Sequence, residues 1–202
     1  MKTELELKEI VKAKYSEIAL QDRPEIDRWV LSKLNSLIKA VDESYADYEP
    51  TKAGRLIEDF VNDQLSNWYV RLCRRRFWKS DDLQDKQSAY QTLYTCLETV
   101  AILSAPIAPF FMDQLFSDLN SVSGRHSVDS VHLADFPAVN ESMIDLSLED
   151  QMDIAQRTSS LILALRKKEK IRVRQPLQKI MVPALNKTFA ENILHVKDLI
   201  LS

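Results

Sequence analysis

Residues 67–79, NWYVRLCRRRFWK, hold five basic side chains and no acid, interleaved with aromatic rings. Arginine and lysine neutralise phosphates, and an aromatic ring can stack on an unpaired base, so the segment has the composition of a nucleic-acid-binding surface. Trp68 continues an apolar helical stripe and is expected in the core. Trp78 is therefore the better candidate for stacking on a base.

The same segment has a purely structural interpretation, which the sequence leaves open. At helical spacing Arg71 and Arg75 continue the apolar stripe of the preceding helix, so we expect an inward face that changes from apolar to cationic. In the structural interpretation, Arg71 and Arg75 pair with internal acids such as Asp59 or Asp63, and the other cations of the segment face water.

A second basic segment, residues 166–179, contains seven lysines and arginines against the single acid Glu169. Two interpretations of residues 166–174 stand side by side. They form either a solvated helix end, whose cations favour the helix dipole, or an extended strap with its basic side chains on one side. The candidate phosphate ligands of both segments are Arg71, Arg74, Arg75, Arg76, Lys79, Arg166, Lys167, Lys168, Arg172 and Arg174.

The two segments hold 12 of the 27 basic residues, although the formal net charge of the chain is −3. Such a chain can bind a polyanion, because the local field matters more than the total charge. The sequence offers little for catalysis: its three histidines are far apart, and two glycines cannot build a phosphate-binding loop. Paired acids such as Asp81–Asp82 and Glu149–Asp150 fall at expected helix starts, where they complement the helix dipole.

The composition predicts a mainly α protein, because glycine and proline are scarce and apolar residues recur at helical spacing. We expect a helical bundle over residues 23–175, with residues 1–22 as a leader. The segment KIMVPA, residues 179–184, is a strand candidate before a last helix, so residues 176–202 are expected to begin a truncated α/β unit. Without a signal peptide or long apolar run, the expected location is cytoplasmic.

Several segments together resemble the anticodon-binding region of isoleucyl-tRNA synthetases, which are class I aminoacyl-tRNA synthetases. They are RPEIDRWVLSKL (23–34), NDQLSNWYVRLCRRRFWK (62–79), LETVAILSAPIAPFFMDQLFSDL (97–119), SVHLADFP (130–137) and LRKKEKIRVRQPL (165–177). The APIAPFF element also occurs in related synthetases for other amino acids. The combination of NWYVRLCRRRFW with the RQPL segment is what indicates isoleucine, and the resemblance covers roughly residues 23–202.

The resemblance implies a helical bundle that grips the anticodon stem-loop of tRNA(Ile), within an ATP-dependent isoleucine–tRNA ligase. The HIGH and KMSKS loops of the catalytic core are absent from this sequence, as are the zinc ligands found elsewhere in such enzymes. We therefore expect a tRNA-binding piece that is not catalytic alone and holds neither ATP nor metal. We also expect a monomer without DNA or membrane partners. The alternative is a protein-interaction scaffold with basic docking faces.

Overall fold

The computed structural model describes residues 18–79, 82–184 and 186–201, so most of the leader expected over residues 1–22 lies outside the described residues. The mainly α prediction is confirmed. The helices are α1 Glu25–Ala46, α2 Pro50–Asp59, a π-helical segment Phe60–Val70, α3 Arg74–Lys79, α4 Leu83–Ser104, α5 Pro109–Ser123, α6 Leu146–Lys168, α7 Lys187–His195 and α8 Lys197–Leu201. Short 3₁₀ turns cover Leu20–Asp22, Val131–Leu133 and Glu141–Met143.

The chain divides into two compact units between Ile144 and Asp145, whereas the sequence suggested a boundary after residue 175. In the first unit α1 packs against α2, the π-helical segment and α4, and α4 packs against α5. Large side chains fill the space between these helices, and the most completely buried include Trp29, Val41, Phe60, Tyr69 and Phe116. This bundle is the scaffold that carries the first basic segment.

Local sequence signals fix the ends of the helices around that segment. The side chain of Asp82 accepts hydrogen bonds from the backbone N–H groups of Gln84 and Asp85, so it caps α4 as expected for an acid at a helix start. Pro106 follows the end of α4, and Pro109 occupies the first turn of α5, where its missing N–H costs nothing. Gly124 ends α5 with a φ of 59°, a left-handed conformation that glycine adopts without strain.

In the second unit α7 and α8 both pack against α6. The strand predicted over residues 179–184 is not formed, and these residues are irregular and exposed. A strand needs a partner for its backbone groups, Pro183 lacks an N–H to donate, and no strand is present in the described parts of the chain. The truncated α/β unit is therefore absent from the described residues. None of the helices described is long and apolar enough to cross a membrane.

Candidate nucleic-acid interface

The π-helical segment Phe60–Val70 decides which side chains of the first basic segment face solvent. Its i→i+5 geometry puts more residues into each turn than an α-helix does, so each residue advances by a smaller angle. Over its 11 residues the inward face moves away from the positions that α-helical spacing predicts. Within residues 66–78 the buried side chains are consequently Trp68, Tyr69, Cys73 and Phe77.

The expectation of an inward cationic stripe is therefore wrong, because Arg71 and Arg75 point outward. Arg71, Arg74, Arg75 and Trp78 are spaced i, i+3, i+4 and i+7, which places them on one side of the helix. All four are exposed, and the Trp78 side chain is 78% accessible to solvent. We call these four residues the cationic face. Trp68, by contrast, is 9% accessible, as the sequence predicted for a core residue.

The alternative prediction, that Arg71 and Arg75 pair with internal acids, is wrong for the described residues. Within the described residues, no ion pair joins a carboxylate to Arg71, Arg74 or Arg75. Three cations therefore stand on one side of a helix with their charges directed at solvent. Lys79, the fifth basic residue of the segment, closes α3.

Arg76 behaves differently from its neighbours, because it faces the bundle and pairs with two acids. Its Nη1 and Nη2 atoms donate to Oδ1 and Oδ2 of Asp27 at 2.6 and 2.8 Å, a bidentate pair. Its Nε donates to Oδ1 of Asp85 at 2.8 Å. The Asp27 side chain is 0% accessible and that of Arg76 is 16% accessible, so this ion pair is largely shielded from solvent.

The Asp27 carboxylate is the centre of a wider network. Besides Arg76, it accepts hydrogen bonds from the hydroxyls of Tyr69 at 2.9 Å and Ser88 at 2.7 Å. Burial, together with the negative charge of Asp27, raises the pKa of the Tyr69 hydroxyl, which stays a donor. Burial alone would lower the pKa of Arg76, but its hydrogen bonds to Asp27 and Asp85 outweigh that effect and raise it. The Arg76 guanidinium therefore stays protonated and hydrogen-bonded to Asp27 and Asp85.

The sequence did not identify Asp27, Asp85 or Ser88 as partners of the basic segment. The sequence did contain one signal that Asp27 faces the core. Val30, Leu31 and Leu34 follow it at helical spacings of three, four and seven residues, so Asp27 lies on a helix face that is otherwise apolar. A charged residue at such a position is almost always paired when it is buried.

The second basic segment lies in the second unit, at the C-terminal end of α6. Arg166, Lys167 and Lys168 form the last turn of this helix, which agrees with the helix-end interpretation. The extended strap is not formed, because the chain turns back after Lys170, whose φ is 56°. The Nη1 atom of Arg166 holds the turn closed by donating to the carbonyls of Arg172 at 3.0 Å and Gln175 at 2.9 Å. Lys167, Lys168, Arg172 and Arg174 are all exposed.

No cluster of three or more potential metal-ligating side chains (His, Cys, Asp or Glu) occurs in the part of the chain that the structure describes. Outside the Arg76 network, the carboxylate of Glu98 contacts Nε2 of His126 at 3.1 Å and Nη1 of Arg125 at 3.4 Å. These contacts tie the turn that follows α5 to α4. They have the character of a structural contact, since both side chains meet the same carboxylate.

Comparison with known families identifies the class of domain to which this helical bundle belongs. The family described as "Anticodon-binding domain of tRNA ligase" matches residues 27–181. The chain belongs to this family. The match takes in the cationic face, the Arg76 network and the turn after α6.

Two of the most similar proteins share one name, which is narrower than the family description. The chain is 62% identical, over 92% of its length, to a protein of Cytophaga hutchinsonii named isoleucine–tRNA ligase. It is 61% identical, over 94% of its length, to the protein of the same name from Bacteroides fragilis. It spans 17% of the length of each of these two relatives.

Proposed function

We propose that the cationic face binds the anticodon stem-loop of a tRNA. In this proposal Arg71, Arg74 and Arg75 neutralise phosphates, Lys79 adds a further positive charge, and Trp78 stacks on an unpaired base of the loop. The observation that carries it is the cationic face itself, with three arginines unpaired among the described residues and an exposed tryptophan on the same side of the helix.

Arg76, which the sequence grouped with the phosphate ligands, is left out of this contact set. An arginine has five N–H donors, and all five of Arg76 are already directed at protein acceptors. A phosphate could reach it only by displacing a buried carboxylate. We assign Arg76 to the scaffold of the interface.

The turn after α6 is proposed as a second phosphate-binding surface. Lys167, Lys168, Arg172 and Arg174 present their charges on a turn that Arg166 holds in shape through two backbone carbonyls. Arg166 contributes its charge as well, although one of its nitrogens is engaged. A preformed turn loses less conformational freedom on binding than an extended strap would.

The particular RNA is proposed to be tRNA(Ile). Two relatives that are more than 60% identical to the chain carry the name isoleucine–tRNA ligase. We infer that the chain serves as the anticodon-binding part of such a ligase, which joins isoleucine to its tRNA at the expense of ATP. The ATP, and any zinc ion that the full-length enzyme carries, are proposed to bind outside this chain.

The test is fluorescence anisotropy of a labelled tRNA(Ile) anticodon stem-loop, titrated with the 202-residue chain at several salt concentrations, with loops of other tRNAs as competitors. Each arginine that neutralises a phosphate contributes about 0.7 to 0.9 to the slope of log K against log salt, so Arg75→Ala should lower the slope by that amount. Trp78→Ala should weaken binding by roughly 5- to 150-fold, the effect of losing one stacked base, with an unchanged slope.

A matched control is Arg55→Ala. Arg55 is an exposed arginine on α2, outside both basic segments and separated from Arg71 by the π-helical segment. It should leave both affinity and slope unchanged. Equal binding to every loop would reduce the proposal to a generic basic surface. Binding that none of the cationic-face substitutions weakens would refute it.

A further inference from the structure

We propose that Arg76 is a positioning residue of the RNA interface, which through Asp27 fixes the orientation of α3 so that the cationic face meets RNA in a preformed arrangement. The inference rests on the proposed function, because it assigns the interface a residue that does not touch RNA. Arg76 lies within the first basic segment, directly after Arg75 and two residues before Trp78.

The first step of the argument is the saturation of the guanidinium. Two donors go to the carboxylate of Asp27, one to the carboxylate of Asp85, one to the backbone carbonyl of Asp85 at 3.2 Å, and one to Sγ of Cys73 at 3.3 Å. Five donors in a rigid, planar fork define both the position and the angle of the side chain. A lysine at this place could not satisfy the same set of acceptors.

The second step is that the network connects every element around the basic segment. Asp27 belongs to α1, Tyr69 to the π-helical segment, and Asp85 and Ser88 to α4. The Asp27 carboxylate, which is 0% accessible, accepts from three side chains at once. Arg76 therefore ties α3, which carries Arg74, Arg75 and Trp78 of the cationic face, to α1 and α4.

The third step is that α3 needs such a tie. It has six residues, too few for a helix that is stable alone, and a turn at Cys73 separates it from the helical residues before it. Backbone hydrogen bonds from the Cys73 N–H to the Tyr69 carbonyl and from the Phe77 N–H to the Cys73 carbonyl join it to those residues, and tertiary contacts must fix the rest of its direction. Phe77 supplies apolar contacts, with its ring 6.5 Å from that of Tyr69 and 5.2 Å from that of Tyr90. Ring packing alone tolerates sliding and tilting, whereas a bidentate ion pair does not.

The fourth step is the consequence for binding. A surface that is already arranged loses less freedom when RNA binds, and selective contacts such as base stacking depend on arrangement more than charge attraction does. Releasing α3 should therefore remove the selective part of the affinity, while Arg71, Arg74 and Arg75 still supply the salt-dependent part. A direct phosphate contact by Arg76 would give the opposite pattern.

The experiment compares Arg76→Lys and Asp27→Asn with Arg75→Ala in the stem-loop titration, at a temperature where circular dichroism shows every variant folded. Arg76→Lys keeps the charge, and Asp27→Asn keeps Arg76 itself while removing its partner. We expect both to lose at least about fivefold of the preference for the tRNA(Ile) loop over a scrambled loop, with the salt slope retained. If Arg76 contacts phosphate instead, Arg76→Lys binds like the unsubstituted chain and Asp27→Asn binds no more weakly.

A spectroscopic readout separates positioning from a general effect on stability. Trp29 and Trp68 are 0% and 9% accessible, so iodide quenching reports mainly on Trp78. Saturating stem-loop should protect Trp78 from iodide in the unsubstituted chain and fail to do so in Arg76→Lys, even though the RNA is bound. Protection equal to that of the unsubstituted chain would overturn the positioning role.

A measurement without RNA keeps this inference distinct from the proposed function. Cys73 and Cys96 are both buried, and only Cys73 contacts Arg76. If Arg76 holds α3 in place, Arg76→Lys should speed labelling of Cys73 by a thiol reagent about tenfold or more, with Cys96 still protected as an internal control. An unchanged Cys73 rate refutes the positioning role whether or not the stem-loop binds. A raised rate without any stem-loop binding would instead remove the proposed function.

Discussion

Replacing Asp27 with asparagine should destabilise the first unit more than any other single-atom change to a charged side chain of the interface. The substitution preserves shape but removes the charge that faces Arg76 at 2.6 Å. Breaking a buried ion pair by neutralising one partner costs roughly 3 to 5 kcal/mol, because the remaining charge is left without compensation. Asp85 still contacts Arg76 at 2.8 Å in the variant, so we expect about 3 kcal/mol, the lower end of this range.

The assay is urea unfolding followed by tryptophan emission. All three tryptophans, Trp29, Trp68 and Trp78, belong to the first unit, so the signal reports the unit that holds the ion pair. The slope with urea should stay the same and the midpoint should fall, since the surface exposed on unfolding does not change.

The control is an ion pair of the same first unit that lies on the surface. Lys39 contacts Glu141 at 3.0 Å, and their side chains are 51% and 68% accessible. Solvent screens this pair, so Glu141→Gln should leave the midpoint unchanged. If Asp27→Asn shifts the midpoint as little as Glu141→Gln does, the Arg76 network does not hold the bundle together and the reasoning fails.

Three further predictions concern individual residues. Burial raises the pKa of Cys73 to about 11 and that of Cys96 further, so neither thiol should react with a disulfide reagent at pH 8 until the chain unfolds. Hydrogen bonds from the Ser130 hydroxyl and the Val131 N–H lower the pKa of Asp113. The ionised side chain therefore contributes to folding stability above about pH 4, the pKa of an aspartate in the unfolded chain, and this contribution is lost as the pH falls through the lowered value. Asp113→Asn should therefore reduce the loss of stability on acidification, measured as urea midpoints between pH 5 and 3. Gly124→Ala places a side chain on a residue with φ of 59° and should cost roughly 1 to 2 kcal/mol in urea unfolding, although nothing lies within 4 Å of the added methyl group.

Much of the fold could be predicted because its signals are local. The prolines at 106 and 109 mark the end of α4 and the start of α5, and the acid at 82 caps α4. The strand expected over residues 179–184 failed for a non-local reason: β-prone composition forms a strand only where a partner strand exists. The turn after α6 was harder, since it depends on one side chain, Arg166, reaching the backbone of residues 172 and 175.

The candidate site was predicted as a segment but not residue by residue. Adjacent arginines look alike in a sequence, yet Arg75 is exposed and Arg76 is paired with two acids. Asp27, the partner that separates them, lies 49 positions away along the chain, so spacing within the basic segment contains no information about it. The composition predicted that the segment is positively charged, but it could not predict which of its arginines are free to contact a ligand.

The π-helical segment explains why extrapolation by helical spacing assigned the wrong side. Had α-helical geometry continued from Ile57, the inward side would have passed through Arg71 and Arg75, and both charges would have entered the core. The larger turns between Phe60 and Val70 bring Tyr69 and Cys73 inward instead, so that the same arginines emerge together at the surface. The same distortion turns the Arg76 side chain inward, where it pairs with Asp27. The exposed charge and the buried ion pair are therefore two results of one change in helical geometry.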